Sequence, residues 1–312
     1  MAISGPKTTD MRWIIGSSLV VAALATALGV GVVLKTAPTP PPQIDQSGTP
    51  QRGAYLARAG GCIACHTNTS AGGKPLAGGA PLETPFGRFV PPNITPDESH
   101  GIGGWSAGQF ARALRQGVSP DGAPYYPAFP HAFYADLSDT DVADLWAAFQ
   151  TVTPVAERAP DSDIAFPFNQ RWGLWLWRAA FREPARTAPR PDKSEAWNRG
   201  KWLSEGVAHC GACHTARNGL GGRSLPDGHF AGSDALPGGD SAPAITPDAL
   251  RENGWTVSSL GSALSTGLMP DGDVFGGAMA EVVDQGTTWL NKSDRRAIAT
   301  YLLNADFSDS QD

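Results

Sequence analysis

Apolar and polar positions divide this chain into segments with different periods. Positions 13–34 carry no charge over 22 residues. A helix of that length spans roughly 33 Å at about 1.5 Å per residue, enough for a hydrocarbon core of about 30 Å. Lys7 and Arg12 precede it, as positive-inside orientation requires. The pattern predicts a short cytoplasmic N-terminus (1–12) and one transmembrane signal-anchor helix (13–35). Ala25-Thr26-Ala27 also offers a small-residue cleavage site, so a removed signal peptide is the competing reading. The apolar run continues past that site to Leu34, which favours the anchor; either reading exports the rest of the chain. Pro38, Pro40, Pro41, Pro42 and Pro50 then mark residues 36–50 as a semi-rigid tether.

Beyond the tether the apolar positions take helical spacing. Val142, Leu145, Trp146 and Phe149 predict a helix over Asp139 to Gln150, and Ile298, Tyr301 and Leu302 another over Ser293 to Asn304. Ser138 and Ser293 read as their N-caps. These helices close two copies of one pattern. Arg52-Gly53-Ala54-Tyr55-Leu56 corresponds to Arg199-Gly200-Lys201-Trp202-Leu203, and Pro92-Asn93-Ile94-Thr95-Pro96-Asp97 to Pro243-Ala244-Ile245-Thr246-Pro247-Asp248. Gly117, Pro120, Asp121 and Gly122 recur 150 positions on as Gly267, Pro270, Asp271 and Gly272. The expected architecture is all-α: two tandem domains (51–155 and 195–306) with long Gly/Pro-rich loops and little sign of strands. Residues 156–194 connect them and crowd Phe166, Phe168, Trp172, Trp175, Trp177 and Phe181 among Arg171, Arg178 and Arg182. Packing across both domains is the favoured reading of this segment; the alternative is a membrane-interface or partner-gripping helix.

Composition narrows the function. A net charge of −6, a pI near 5.5 and no basic cluster argue against nucleic acid as a partner. All four cysteines lie in two pentapeptides, Cys62-Ile63-Ala64-Cys65-His66 and Cys210-Gly211-Ala212-Cys213-His214, leaving none for a disulfide or a catalytic thiol. In each, two thiols spaced Cys-x-x-Cys at a helix start reach two vinyl groups on one side of a porphyrin, and the next His lies beneath the iron. The motif therefore predicts two covalently attached hemes c. A zinc knuckle would bring the two pairs close in sequence, but 145 positions separate Cys65 from Cys210. A thioredoxin-like dithiol would need a βαβ pattern that is absent.

The sixth iron ligands differ between the copies. Met279 stands well downstream of His214, where a distal Met is expected, with Met269 as the fallback. Its counterpart in the first copy is Phe129, which cannot ligate iron, and no Met exists between residues 50 and 155. His131, an open site, and His100 are the alternatives for the first heme. Met/His ligation raises an iron potential relative to bis-His. Electrons are thus expected to enter at the first heme and leave from the second.

With Tyr126-Pro127-Ala128-Phe129-Pro130 and Gly276-Gly277-Ala278-Met279-Ala280-Glu281, these motifs make residues 51–305 resemble bacterial periplasmic multi-heme cytochromes c. The nearest resemblance is to the cytochrome subunits of membrane-bound alcohol, aldehyde and gluconate dehydrogenases. Those typically carry three hemes, and often Met where this chain has Phe129. The resemblance implies a single-pass inner-membrane protein with its heme domains in the periplasm. It implies electron transfer between a dehydrogenase or quinol-side donor and a terminal acceptor, with a dehydrogenase subunit, a cytochrome or an oxidase as redox partner. It also places Arg88, Trp105 and Trp255 at heme edges. The rival function is a heme enzyme, peroxidase-like, with an open or substrate-binding first heme; the carrier reading is favoured over an enzyme.

Overall fold

A computed structural model of the chain describes residues 40–44, 47–181, 183 and 186–305. The predicted membrane helix (13–35), residues 36–39, 45 and 46 of the tether and Arg182 lie outside the described residues. Among the described residues, no helix is long and apolar enough to cross a membrane.

The fold is mostly helical, and each copy is organised around two crossed helices. In the first copy these are α1 (Pro50–Ala59) and α4 (Asp139–Gln150), with α2 (Cys62–His66) and α3 (Ala107–Gln116) between them. After α5 (Gly173–Ala180) in the connecting segment, the second copy begins with α6 (Glu195–Trp202) and continues through α7 (Pro247–Glu252), α8 (Val257–Thr266) and α9 (Gly277–Gln285) to α10 (Lys292–Leu302). Glycine sets each crossing. A Cβ on Gly53 would lie 1.8 Å from the Asp144 carbonyl oxygen, and one on Gly200 1.8 Å from that of Ala297. Beside each crossing an arginine grips a buried aspartate with two nitrogens: Arg52 on Asp144 at 2.7 and 3.0 Å, Arg199 on Asp294 at 2.9 and 2.7 Å. The Tyr55 hydroxyl donates to Asp294 at 2.7 Å, so the second clasp also ties the two copies together. Leu56, Leu114, Leu145, Phe149, Leu203, Leu260, Ile298 and Leu302 belong to one buried cluster running through both copies.

Caps set the helix ends. Ser138 is the cap of α4 as predicted, and it forms a capping box with Asp141. The second closing helix starts one residue earlier than expected, because Asn291 rather than Ser293 accepts the Asp294 N–H. Ser106 caps α3 and Thr256 caps α8, and both helices end on a left-handed glycine, Gly117 and Gly267.

Two features depart from the all-α expectation or from strict repetition. A small antiparallel sheet joins β1 (Leu82–Thr84), β2 (Gly87–Phe89) and β3 (Asp163–Ile164) in that order, with Leu82 opposite Phe89 and Arg88 opposite Asp163. Strands of two or three residues are too short to show a period of two. The second departure is one extra residue. Arg52 precedes Cys62 by ten positions, and Arg199 precedes Cys210 by eleven. The chain absorbs it as a π turn over Leu203–Val207, closed by the Ala208 N–H on the Leu203 carbonyl at 2.8 Å.

The connecting segment touches both copies. β3 extends the first copy's sheet, and Arg171 donates to the Pro124 carbonyl at 2.8 Å. On the other side, the Trp177 indole donates to the Leu220 carbonyl at 2.7 Å, Glu183 pairs with Arg223, and Arg186 with Glu205 at 3.1 Å.

Candidate heme centres

The π turn restores the phase of the chain, so the two pentapeptides enter alike. Each starts after a left-handed residue, Gly61 (φ 66°) and His209 (φ 40°). No disulfide joins any of the four cysteines. Burial pushes Cys62 and Cys210 up to about 12, which favours the thiol over the thiolate before a heme is attached.

The two histidines are fixed identically. Nδ1 of His66 lies 2.7 Å from the Pro92 carbonyl oxygen, and Nδ1 of His214 2.7 Å from that of Pro243. A carbonyl only accepts, so Nδ1 carries the proton and Nε2 keeps its lone pair. Burial lowers the proton affinity of both rings, which holds them neutral. A neutral imidazole with a bonded Nδ1–H and a free Nε2 is what a metal-ligating histidine needs. Two thiols and one such Nε2 in each copy therefore fit a thioether-linked heme. Sequence reasoning used both prolines as repeat markers but missed their carbonyls, although each leads its Pro-x-Ile-Thr-Pro-Asp block.

The remaining predicted residues fall in different surroundings. Met279 on α9 is half-buried and packs against the core cluster. Met269 sits in a hairpin turn, its N–H on the Asp273 carbonyl at 2.7 Å. Phe129 is half-buried among Tyr125, His131 and Tyr134, with ring centroids 5.7, 6.4 and 6.0 Å away. His131 packs against Gly117, and its Nε2 lies 3.2 Å from the Arg178 guanidinium. An arginine only donates, so this nitrogen accepts; burial, with Arg178 adding to it, pushes the ring down to about 3. His131 is thus neutral, with Nε2 engaged. His100 is exposed in its loop, and Arg88 is exposed on β2. Trp105 and Trp255 are half-buried, and Trp255 stacks on Phe275 at 6.0 Å.

The two pentapeptides face each other across the junction of the copies. Cys65 lies close enough to Cys213 and Glu281 for both to raise its proton affinity, after burial, to about 11. His209 packs on Phe133 and Tyr134 at 5.9 and 5.8 Å, and the Tyr134 hydroxyl donates to the Gly60 carbonyl at 2.7 Å. From the other side α9 contacts α2, and the Arg58 guanidinium lies 4.2 Å from the Trp289 ring centre. Each copy thus reaches across to the helix that feeds the other's pentapeptide. Beside the second one, the π turn buries Glu205 against His229 Nε2 at 2.8 Å and the Tyr301 hydroxyl. Sequence reasoning missed His209, Tyr134 and Glu205; the eleven-residue spacing was the one available signal, and it announced an extra residue without locating it.

No family model matches the chain. It is 40% identical over 295 residues to a diheme cytochrome c-type protein of Cereibacter sphaeroides, covering 94% of this chain and 98% of that one. It is 40% identical over 262 residues to the cytochrome c subunit of a quinone alcohol dehydrogenase of Gluconobacter oxydans, covering 81% and 54%. It is 39% identical over 304 residues to a nicotinate dehydrogenase subunit of Pseudomonas putida, covering 95% and 25%. The chain thus spans nearly all of the first relative, about half of the second and a quarter of the third.

Proposed function

The chain belongs to the family of the diheme cytochromes c and the cytochrome c subunits of alcohol, gluconate and fructose dehydrogenases, and carries two hemes c; from this we propose that it passes electrons from a dehydrogenase or quinol-side donor to a terminal acceptor. The observation that carries the reading is the matched pair of His-to-proline bonds, which presents one free Nε2 in each copy. Each bound heme supplies a one-electron iron couple. Cys62 and Cys65 hold the first and Cys210 and Cys213 the second, with His66 and His214 as proximal ligands. Met279 completes the second iron; it packs against the buried core whereas Met269 is held in the hairpin turn, which supports Met279 over Met269. Arg88, Trp105 and Trp255 stand at the heme edges.

The first iron has no methionine. Its nearest alternative, His131, keeps Nε2 on Arg178 and has to release that bond to ligate through it. Without a Met ligand the first heme sits at lower potential than the second. Electrons enter at the first site and leave at the second, and the facing pentapeptides favour that passage within one molecule. Residues 51–155 and 195–306 form the two heme domains, with 156–194 joining them. The 13–35 helix and the 36–50 tether hold them at the periplasmic face of the inner membrane, within reach of a dehydrogenase partner. The relatives' roles as dehydrogenase cytochrome subunits support a carrier rather than a peroxidase-like enzyme.

A redox titration that resolves the two hemes tests this. The first heme is expected to titrate below the second; the reverse order overturns the direction. A first heme that turns over peroxide overturns the carrier reading itself.

A further inference from the structure

The same hairpin appears in both copies, after α3 and after α8. One antiparallel bridge closes each, Val118 with Pro124 and Leu268 with Val274. The internal bonds also match: Tyr125 N–H donates to Gly117 O at 2.7 Å, and Phe275 N–H to Gly267 O at 2.8 Å. The surroundings do not match. Val118 is 1% exposed and Leu268 53%; Pro124 is buried and Val274 is 59% exposed.

The cover on the first hairpin is α5 with the residues just before it. Arg171 donates to the Pro124 carbonyl, and Arg178 donates to those of Gln116 at 2.7 Å, Gly117 at 2.5 Å and Tyr125 at 3.3 Å. A Cβ on Gly117 would lie 2.6 Å from an Arg178 nitrogen, whereas one on Gly267 would meet nothing within 4 Å. In place of a guanidinium the second copy has a cavity of about 250 Å³, walled by Thr266, Gly267, Val274, Phe275, Val283 and Asp284. Cys210, Cys213, His214 and Met279 do not line it. In the first copy His131 and Arg178 fill the corresponding space beside Gly117.

We propose that this face receives an arginine-bearing apolar helix of a partner protein, docked as α5 docks on the first copy. The carbonyls of Thr266, Gly267, Val274 and Phe275 occupy the positions of the four that take Arg171 and Arg178. Thr266 ends α8, where helix carbonyls lack intrahelical donors. Asp284 adds a carboxylate to the wall of this cavity, which suits a cation. Leu268, Val274, Val282 and Trp289, 41–59% exposed, supply an apolar rim of the kind that marks interaction sites. The last seven residues, 306–312, contain neither Lys nor Arg and do not supply the cation.

The probe is a synthetic peptide of α5 and its flanks, residues 171–181, titrated into the full-length holoprotein by calorimetry. Binding needs no electron to move, so it tests this surface apart from the electron-transfer reading. Saturable binding is expected, weakened at least tenfold by Arg178→Ala in the peptide and by Leu268→Asp in the protein, with unchanged heme spectra. Asp284→Asn, nearly equal in volume, is expected to weaken the arginine peptide several-fold and leave its alanine form unaffected. No saturable binding, or binding indifferent to these substitutions, overturns the proposal. So does a chain that takes the peptide only after residues 306–312 are removed, because the tail is then the occupant.

Discussion

Gly200→Ala sets two effects of opposite sign against each other. Alanine is the better helix former by about 1 kcal/mol, so an isolated α6 would gain from it. In the folded chain the new Cβ would lie 1.8 Å from the Ala297 carbonyl oxygen, 2.4 Å from its carbon and 2.9 Å from the Tyr301 Cβ. Real Cβ contacts essentially never fall under 3.0 Å, so α6 and α10 have to part by more than an ångström. Overpacking of this kind costs about 1–3 kcal/mol. Parting the helices also stretches the Arg199 and Tyr55 bonds to Asp294, which adds about 1 kcal/mol or more for each bond lost. The clash wins, leaving a net loss of about 2–4 kcal/mol. At about 2–4 °C per kcal/mol for a unit of this size, the melting temperature falls by about 4–16 °C. Thermal unfolding of the holoprotein followed by far-ultraviolet circular dichroism measures it. Gly53→Ala is expected to behave alike, since its Cβ would lie 1.8 Å from the Asp144 oxygen. Gly173→Ala at the start of α5 is the control: its Cβ would meet nothing within 4 Å, and the melting temperature should hold or rise slightly. An unchanged or higher melting temperature for Gly200→Ala would refute a glycine-dependent crossing.

Four further outcomes are expected. Burial pushes the Asp294 carboxyl up, but the bonds from Arg199 and Tyr55 outweigh it and hold it below 3.8; its stabilisation is present above that value and is lost as pH falls through the lower folded one. Urea unfolding near pH 3 and pH 7 should therefore show a smaller acid loss for Asp294→Asn than for the wild type. Met279→Ala should lower the potential of the second heme and shift its spectrum, while Met269→Ala changes neither; the opposite pattern makes Met269 the ligand. Arg178→Ala removes three carbonyl bonds from the first hairpin and should cost about 2–4 kcal/mol in chemical denaturation, while an unchanged first-heme spectrum in His131→Ala would exclude His131 as a ligand.

What was legible in the sequence was whatever repeats or keeps a period. Both pentapeptides, the helix over Asp139–Gln150 and its Ser138 cap came from local pattern alone. Asn291 displaced Ser293 as a cap because both residues suit that place, and only the backbone two residues upstream decides between them. Contacts that join distant segments carried no local signal. Nothing in the composition of Trp172 to Phe181 shows that Arg178 ends on three carbonyls of residues 116–125. His131 looked available because the residue that engages it lies 47 positions away. The π turn was half legible: the count of eleven against ten announced an extra residue but not where the helix would widen.

The matched histidine bonds give the molecule an internal control. Donor, acceptor atom, acceptor residue type and the 2.7 Å separation are the same in both copies, so as proximal ligands the two imidazoles would offer their irons nearly equal basicity. A voltage between the two centres would then have to come from elsewhere in their surroundings, where Met279 stands in place of Phe129 in the repeat and the buried Glu205 stands beside only one pentapeptide. One polypeptide would thereby vary one side of an iron while holding the other constant.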